Sequence, residues 1–245
     1  MTRRLVFALA ALLAATCCSS RPPAKLTVAA AANLTKVFDQ IGKEFTAATG
    51  IPVVFSYGPT ATLARQVEEK APFDVFAAAD TEHIDALVKS GKVAPGTNAV
   101  YARGQLALWA PKGNIQELKD IAQPQIKFVS IAQPELAPYG QAAVETLKAS
   151  SLWDTVQPKL VYANNISQAR QQAATGNADV AFTAYSLVLK DSGKVLIIDP
   201  KLHVPIDQAL GIVAGSANEA EAGKFVDFVM SARGAAILKQ NGYLR

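Results

Sequence analysis

The chain alternates between short apolar stretches and longer stretches with helical periodicity, and this alternation restricts its fold more than any other feature. Residues 25–30 form a short, mostly apolar stretch of strand length, and residues 73–79 form a nearly continuous apolar run. Between them, apolar residues recur at helical spacing until Gly50: Leu34, Val37, Phe38, Ile41 and Phe45. The same order of elements repeats to the C-terminus. It predicts an α/β protein with mainly parallel sheets flanked by helices.

The length of 245 residues allows one large doubly wound domain or two smaller lobes. Extended stretches at residues 101–111 and 204–214 are both able to cross between two lobes. We therefore predict one lobe from residues 25–101 plus 206–245 and a second lobe from residues 102–205. Ligands of such folds bind beyond the carboxyl ends of the strands. In a two-lobed protein, this position is the cleft.

Residues 1–20 have the pattern of a secretory signal peptide. Two arginines precede an apolar run at residues 5–15, which is too short to span a bilayer. The following stretch, LAATCCSS, resembles a bacterial lipoprotein cleavage site. Two outcomes stay open: lipidation of Cys17 or Cys18, or cleavage nearby that releases a soluble protein. Both outcomes predict an exported protein.

The basic charge of the chain does not indicate a nucleic-acid ligand. The formal net charge is +4 at pH 7, but removal of the signal peptide takes two arginines with it, and no dense basic run follows. Both cysteines, Cys17 and Cys18, precede the folded body, so a disulfide framework is excluded.

Four strand-to-helix turns have residues that suit a small anion. These turns, at residues 29–34, 56–63, 132–140 and 162–168, contain small, hydroxyl and amide side chains but no Lys or Arg. A helix start offers unpaired N–H groups and a partial positive charge. The turns are therefore able to bind a dianion with dipoles alone. Ordinary helix capping also favours such residues, so this alternative stays open.

The donors in these turns also predict the protonation state of the ligand. A site with donors and no acceptor suits an oxyanion that is fully ionised near pH 7, because the O–H of a protonated anion would be left unpaired. Glu135 is the one carboxylate in the four turns, and it would weaken this argument if it pointed into the cleft.

The same residues lie in motifs that resemble the periplasmic molybdate-binding proteins of bacterial ABC importers. The resemblance runs in order from about Lys25 to the C-terminus through LTVAAAANLTKVFDQIGKEF, FSYGPTATLARQV, FDVFAAADTEHIDAL, AQPELAPYGQAA and ATGNADVAFTAYS. It implies a two-lobed type II periplasmic-binding fold that closes on molybdate or tungstate. It further implies a periplasmic, monomeric, non-enzymatic receptor without a cofactor, which delivers the oxyanion to an ABC permease in the inner membrane.

The resemblance also implies which residues bind the oxyanion. Asn33, with Ala32 beside it, matches the residue that holds the oxyanion by its side chain and N–H. Thr60 matches a hydroxyl residue of the second turn. Tyr139 and Ile166 match backbone N–H donors of the third and fourth turns.

A fifth contact stays open. Some family members add a tyrosine hydroxyl from the last strand-to-helix turn. That position aligns with Ala184 here, and Tyr185 is one place off. Tyr139 or Ser186 is a possible substitute, so Tyr185 and Ser186 are additional candidates.

Other functions are less well supported by the sequence. The DTEHID segment groups acidic residues with His83 as a metal site would, but helix capping by Asp80 or Thr81 explains it, and no metal ion is predicted. An exported hydrolase would need a nucleophile beside a base, and neither His83 nor His203 has that context. The same fold is also able to bind another oxyanion, such as sulfate or phosphate. An organic carboxylate usually calls for an arginine clamp, which the turns lack.

Overall fold

The structure of the protein is a computed structural model that describes residues 25–113 and 115–244. The predicted signal peptide and the two cysteines, Cys17 and Cys18, lie outside the described residues. Within these two ranges, no helix combines the length and the apolar character that a membrane span requires.

The first part of the chain alternates strands with helices, as the apolar periodicity predicts. Its elements are β1 (Leu26–Ala31), a 3-10 turn (Ala32–Leu34), α1 (Thr35–Thr49), β2 (Val53–Gly58), α2 (Thr60–Glu68), β3 (Val75–Ala77), α3 (Glu82–Lys89) and β4 (Ala99–Gly104). Helix α1 ends where Gly50 takes the left-handed conformation, with φ of 74°, which glycine adopts without a Cβ penalty.

The remaining elements follow the same order. They are β5 (Leu106–Ala110), a 3-10 helix (Leu118–Ala122), β6 (Val129–Ala132), α4 (Pro138–Ala149), α5 (Trp153–Val156), a 3-10 turn (Gln157–Lys159), β7 (Leu160–Ala163), α6 (Ile166–Ala174), β8 (Val180–Ala184), α7 (Tyr185–Val188), β9 (Lys194–Ile197), a 3-10 turn (Pro200–Leu202), β10 (Ile206–Ile212), α8 (Glu219–Met230) and α9 (Ala232–Gln240).

The strands form two five-stranded sheets. The strand order is β2-β1-β3-β10-β4 in the first sheet and β7-β6-β8-β5-β9 in the second sheet. Strand β10 is antiparallel to both of its neighbours in the first sheet, and β5 is antiparallel to both of its neighbours in the second. The other four strands of each sheet therefore point in one direction. This arrangement confirms the predicted α/β class with mainly parallel sheets.

The chain passes between the sheets twice. It leaves the first sheet after Gly104 and enters the second at Leu106, and it returns between Ile197 and Ile206. The sequence indicates residues 101–111 only as an extended crossing between lobes. Residues 101–104 of this stretch belong to β4, whose pairing with β10 continues to Gly104. The two reversed strands, β5 and β10, are the ones that enter a sheet from the other sheet.

An aromatic cluster attaches the C-terminal helices to the first sheet. Phe225 of α8 lies 5.3 Å from Phe45, 6.1 Å from Phe38 and 6.1 Å from Phe55 between ring centroids. Phe38, Phe45 and Phe225 are fully buried. Edge-to-face aromatic pairs stabilise a core beyond the area that they bury. The C-terminal segment is therefore part of the first sheet's core.

We predict that Phe225→Ala lowers the free energy of unfolding by about 3–5 kcal/mol, because the cavity left among three rings cannot fully collapse. Urea unfolding followed by circular dichroism measures this loss. The control is Phe128→Ala, since the Phe128 side chain is half exposed and its removal is expected to cost about 1 kcal/mol or less. Equal losses in both variants would contradict this assignment of the core.

Candidate functional site

The pairing of β1 with β2 brings the first two anion-type turns side by side. These strands are parallel, and the last residue pair in register is Ala31 with Gly58. The turns that follow both strands therefore lie at the same edge of the sheet. Asn33 lies in the 3-10 turn after β1, and Thr60 begins α2. Thr60 stands at the first helical position, whereas Pro59 occupies the cap.

The pairing of β6 with β7 does the same for the third and fourth turns. The strands are parallel, and the last pair in register is Ala132 with Ala163. Tyr139 lies in the first turn of α4, after Pro138, and Ile166 begins α6. Gly140 allows α4 to start close to β6, because a Cβ atom there would lie 2.2 Å from the Ala132 carbonyl oxygen.

Hydrogen bonds between the two sheets bring the two pairs of turns face to face. The Ala61 N–H donates to the Leu136 carbonyl oxygen over 3.2 Å. The Ser167 hydroxyl donates to the Ala32 carbonyl oxygen over 2.8 Å. Each bond joins a turn of one sheet to a turn of the other.

The four turns line a cavity of about 10 Å³, which is on the scale of a single water molecule. It is lined by uncharged residues: Ala31, Ala32, Asn33, Gly58, Pro59, Thr60, Ala79, Ala137, Pro138, Tyr139, Asn165 and Ile166. Pockets for drug-sized ligands measure about 300–1,000 Å³. This cavity is far smaller, which excludes a drug-sized ligand. Five of the predicted site residues line it together: Ala32, Asn33, Thr60, Tyr139 and Ile166.

Hydrogen-bond donors from three helix starts lie around the cavity. Thr60, Tyr139 and Ile166 stand in the first turns of three helices, where backbone N–H groups have no intrahelical acceptor. The Thr60 hydroxyl oxygen accepts from the Ala79 N–H over 3.2 Å, and no residue that the structure describes accepts its hydrogen. Asn165 caps α6 through its side chain, which accepts from the Gln168 N–H over 2.9 Å.

Charged side chains near these turns point elsewhere. Glu135 is exposed and lies outside the cavity lining. Arg65 of α2 is mostly exposed and pairs with Glu69 over 3.4 Å. The electrostatic character of the cavity therefore comes from N–H and O–H dipoles, which favour negative charge at helix starts.

The side chain of Asn33 contacts the protein interior. Its amide nitrogen donates to the Gln208 side-chain oxygen over 2.9 Å and to the Tyr243 hydroxyl over 3.0 Å. Both hydrogens of this amide nitrogen are thus donated to protein groups. This orientation differs from the sequence expectation, in which the side chain as well as the N–H holds the anion. The Asn33 side-chain amide nitrogen therefore has no hydrogen left for an anion.

Three residues behind the cavity were missed by the sequence analysis. The Tyr101 hydroxyl donates to the Gln208 side-chain oxygen over 2.9 Å, and Tyr243 contacts Asn33. Gln208 is fully buried next to a β-bulge in β10, and bulges often redirect side chains at functional sites. Its signal in the sequence is a lone amide within an apolar strand. Tyr243, near the chain end, has no comparable signal.

The two additional candidates lie outside the cavity lining. The Tyr185 N–H donates to the Gln105 carbonyl oxygen over 2.9 Å, and its ring lies against Gly242. The Ser186 hydroxyl donates to the Tyr243 hydroxyl over 3.1 Å. The structure therefore brings Ser186 to the residues behind the cavity. Tyr185 lies neither in the cavity lining nor among the residues behind it.

The DTEHID segment forms a local pair. The Asp80 carboxylate accepts from the His83 N–H over 3.0 Å and lies 2.8 Å from the His83 ring nitrogen Nδ1. The hydrogen bond to Asp80 raises the pKa of His83, although burial opposes the shift. Within the described ranges, no group of three or more His, Cys, Asp and Glu residues is placed to hold a metal ion.

We predict that His83 stabilises the fold in a pH-dependent way. Because its folded-state pKa is raised, the stabilisation is complete below the unfolded value of about 6.5 and is lost as pH rises through the folded value. His83→Gln should therefore lower the free energy of unfolding more at about pH 5.5 than at about pH 8.5. Urea unfolding at both pH values tests this.

The partner of His83 provides the control. In an Asp80→Asn background, the same substitution should show a much smaller pH dependence, because the hydrogen-bonded carboxylate is gone. A loss that is equal at both pH values in the wild-type background would contradict the pairing.

Comparison with known proteins adds to this geometry. The family of bacterial extracellular solute-binding proteins matches residues 26–244. The molybdate-binding protein ModA of Rhodobacter capsulatus is 36% identical over 222 residues, which cover 90% of this chain and 88% of that protein. ModA of Azotobacter vinelandii is 37% identical over 246 residues, which cover 98% of this chain and 96% of that protein.

A solved structure supports the same relationship. The periplasmic molybdate-binding protein of Azotobacter vinelandii has a TM-score of 0.87 to this structure at 31% identity, covering 90% of this chain and 99% of that one. These similarities confirm the resemblance and the fold that the sequence predicts. The relatives are binding proteins, so the hydrolase alternative is set aside and the chain is not an enzyme. The chain belongs to the family of bacterial extracellular solute-binding proteins.

Proposed function

We propose that this protein binds molybdate or tungstate in the cavity between its two sheets and delivers it to an ABC permease. The observation that carries the proposal is the cavity itself, which is small and has an uncharged lining with four strand-to-helix turns around it. The names of the relatives, which are molybdate-binding proteins, support molybdate as the ligand.

The proposed contacts are neutral donors. They are the N–H groups at Asn33, Tyr139 and Ile166, with the hydroxyl and N–H of Thr60, while Ala32 leaves room for the anion. Hydrogen bonds to a charged group are worth about 1.5–3 kcal/mol each, and an enclosed site strengthens them. Five such bonds sum to roughly 8–15 kcal/mol, which offsets an association cost of about 4–15 kcal/mol.

The absence of a carboxylate from this lining favours fully ionised oxyanions. A protonated oxyanion would bring an O–H that finds no strong acceptor there. Molybdate and tungstate have the same charge and nearly the same size, so we propose that both bind. Sulfate is the alternative ligand, since it has the same charge and shape, and phosphate is the second alternative.

We further propose that the ligand stabilises a closed form. The lobes, predicted as residues 25–101 plus 206–245 and residues 102–205, would divide after Gly104, because β4 pairs with β10 up to that residue. They would move about the two passages between the sheets. The bonds from Ala61 to Leu136 and from Ser167 to Ala32 join the two sheets across the cavity. Only a closed arrangement completes the donor shell, so an anion that binds it shifts the population toward closure.

The proposed setting is the periplasm. Residues 1–20 would direct export, and the mature protein would work as a monomer that binds neither nucleic acid nor a cofactor. Lipidation of Cys17 or Cys18 would anchor it to a membrane, whereas ordinary cleavage would release it. Mass spectrometry of the protein purified from its native membrane fraction distinguishes the lipidated form from the released form.

Calorimetric titration tests the ligand. The mature, anion-stripped protein is titrated with molybdate, tungstate, sulfate and phosphate in separate runs. We predict submicromolar dissociation constants, roughly −8 kcal/mol or stronger, for the first two anions, and binding at least about a hundredfold weaker for the other two. Tight binding of sulfate or phosphate would keep the site but change the ligand. No binding by any of the four would overturn the proposed function.

Thr60 tests the site. Thr60→Ala removes a buried hydroxyl whose hydrogen has no acceptor among the described residues, so molybdate binding should weaken by about 1–3 kcal/mol. The matched control is Thr62→Ala, an exposed threonine of the same helix, which should leave affinity unchanged. Equal affinities of the two variants and the wild type would remove Thr60 from the site.

A further inference from the structure

A buried polar cluster lies behind the cavity. Its members are joined by side-chain hydrogen bonds and come from both sheets and from the chain end: Asn33, Tyr101, Tyr139, Ser186, Gln208 and Tyr243. Each member is more than nine-tenths buried. Burying a polar group costs free energy unless the group is hydrogen-bonded. Six such groups between two sheets therefore suggest a function for the cluster.

Gln208 holds residues from both sides of the cavity. Its side-chain nitrogen donates to the Tyr139 hydroxyl over 2.9 Å. Its side-chain oxygen accepts from the Asn33 amide over 2.9 Å. Tyr139 and Asn33 both line the cavity, one in a turn of the second sheet and one in a turn of the first. One amide side chain therefore fixes the spacing between two residues on opposite sides of the cavity.

Gly104 completes this arrangement. It is the last residue of β4, directly before the first passage between the sheets. A Cβ atom at this position would lie 2.0 Å from the Tyr139 hydroxyl oxygen and 2.6 Å from the Gln208 side-chain nitrogen. The backbone of Gly104 is not in the left-handed region. An alanine there is therefore allowed by backbone conformation, and the three atoms nearest to its Cβ belong to the docked tyrosine and its glutamine partner.

We propose that Tyr139, Gln208 and Gly104 form a closure latch, in which the Tyr139 hydroxyl docks on Gln208 in the space left by Gly104. The latch rests on the proposed function. Tyr139 then has two roles: its N–H binds the anion, and its hydroxyl holds the second lobe against the first. Gln208 and Gly104 are positioning residues, since neither lines the cavity.

The latch predicts graded effects on ligand affinity. Tyr139→Phe keeps the backbone N–H and the ring but leaves the Gln208 N–H without an acceptor in the closed form. Molybdate affinity should fall about tenfold, mainly through faster dissociation. Gly104→Ala prevents docking of the tyrosine altogether, so affinity should fall by about a hundredfold or more, which corresponds to about 2.7 kcal/mol.

The experiment combines calorimetry with small-angle X-ray scattering. The wild type, Tyr139→Phe, Gly104→Ala and the control Gly223→Ala are measured with and without saturating molybdate, and thermal unfolding of the anion-free proteins checks the fold. Gly223 lies in α8, and a Cβ atom added there would meet nothing within 4 Å beyond its own helix and chain neighbours. Its variant should bind and compact like the wild type.

The expected result separates folding from closure. Gly104→Ala should unfold at nearly the wild-type temperature but keep a larger radius of gyration than the wild type when both are given molybdate. Wild-type affinity and wild-type compaction in both Gly104→Ala and Tyr139→Phe would overturn the latch. If Gly104→Ala does not fold, the Tyr139→Phe variant decides the test alone. Molybdate dissociation from this variant at the wild-type rate would then overturn the latch.

Failure of the proposed function has a different result. In that case the wild type itself would bind neither molybdate nor tungstate. The latch, which supports ligand-driven closure, would then be overturned together with the function, whereas failure of the latch alone leaves wild-type binding and compaction intact.

Discussion

The proposed site depends on backbone N–H groups that helix geometry leaves without acceptors. The first turn of every helix has such groups, and a parallel sheet collects several helix starts at one edge. Here two sheets face each other, so helix starts from both sides surround one cavity. Anion binding then requires no cationic side chain. These dipoles do not change their protonation with pH. The protonation state of the anion therefore decides whether it binds.

The same arrangement requires that the two sheets meet accurately. Parallel register places Asn33 beside Thr60 and Tyr139 beside Ile166, but it does not fix the distance between these two pairs. That distance depends on contacts across the sheets. The bonds from Ser167 to Ala32 and from Gln208 to Tyr139 supply them. In the proposed closure latch, residues outside the cavity lining set the distance between the two pairs of turns.

Sequence analysis could predict the parts of the site that local chemistry determines. Turn residues predict the four helix starts, because capping rules act within a few residues. The family resemblance then selects Thr60, Tyr139 and Ile166 at three of them. The alternation of strands and helices likewise predicts the α/β fold. Strand β4 was harder to separate from the crossing, because its extended conformation continues almost directly into β5.

The remaining residues depend on contacts between distant parts of the chain. Asn33 meets Gln208 and Tyr243 at separations of 175 and 210 residues, and no local pattern specifies such a meeting. The reason for glycine at position 104 is equally hidden, since its backbone conformation is not left-handed and the atoms nearest to an added Cβ belong to Tyr139 and Gln208. Tertiary packing, rather than turn chemistry, decides these positions.

The most direct test of this account is a crystal structure of the tungstate complex, with tungsten located by its anomalous scattering. The account predicts tungsten inside the cavity, with oxygens about 2.7–3.1 Å from the N–H nitrogens of Tyr139 and Ile166 and from the Thr60 hydroxyl, and with no Lys or Arg side chain among the contacts. Tungsten outside this cavity, or held by a cationic side chain, would contradict the central claim that neutral dipoles bind the anion.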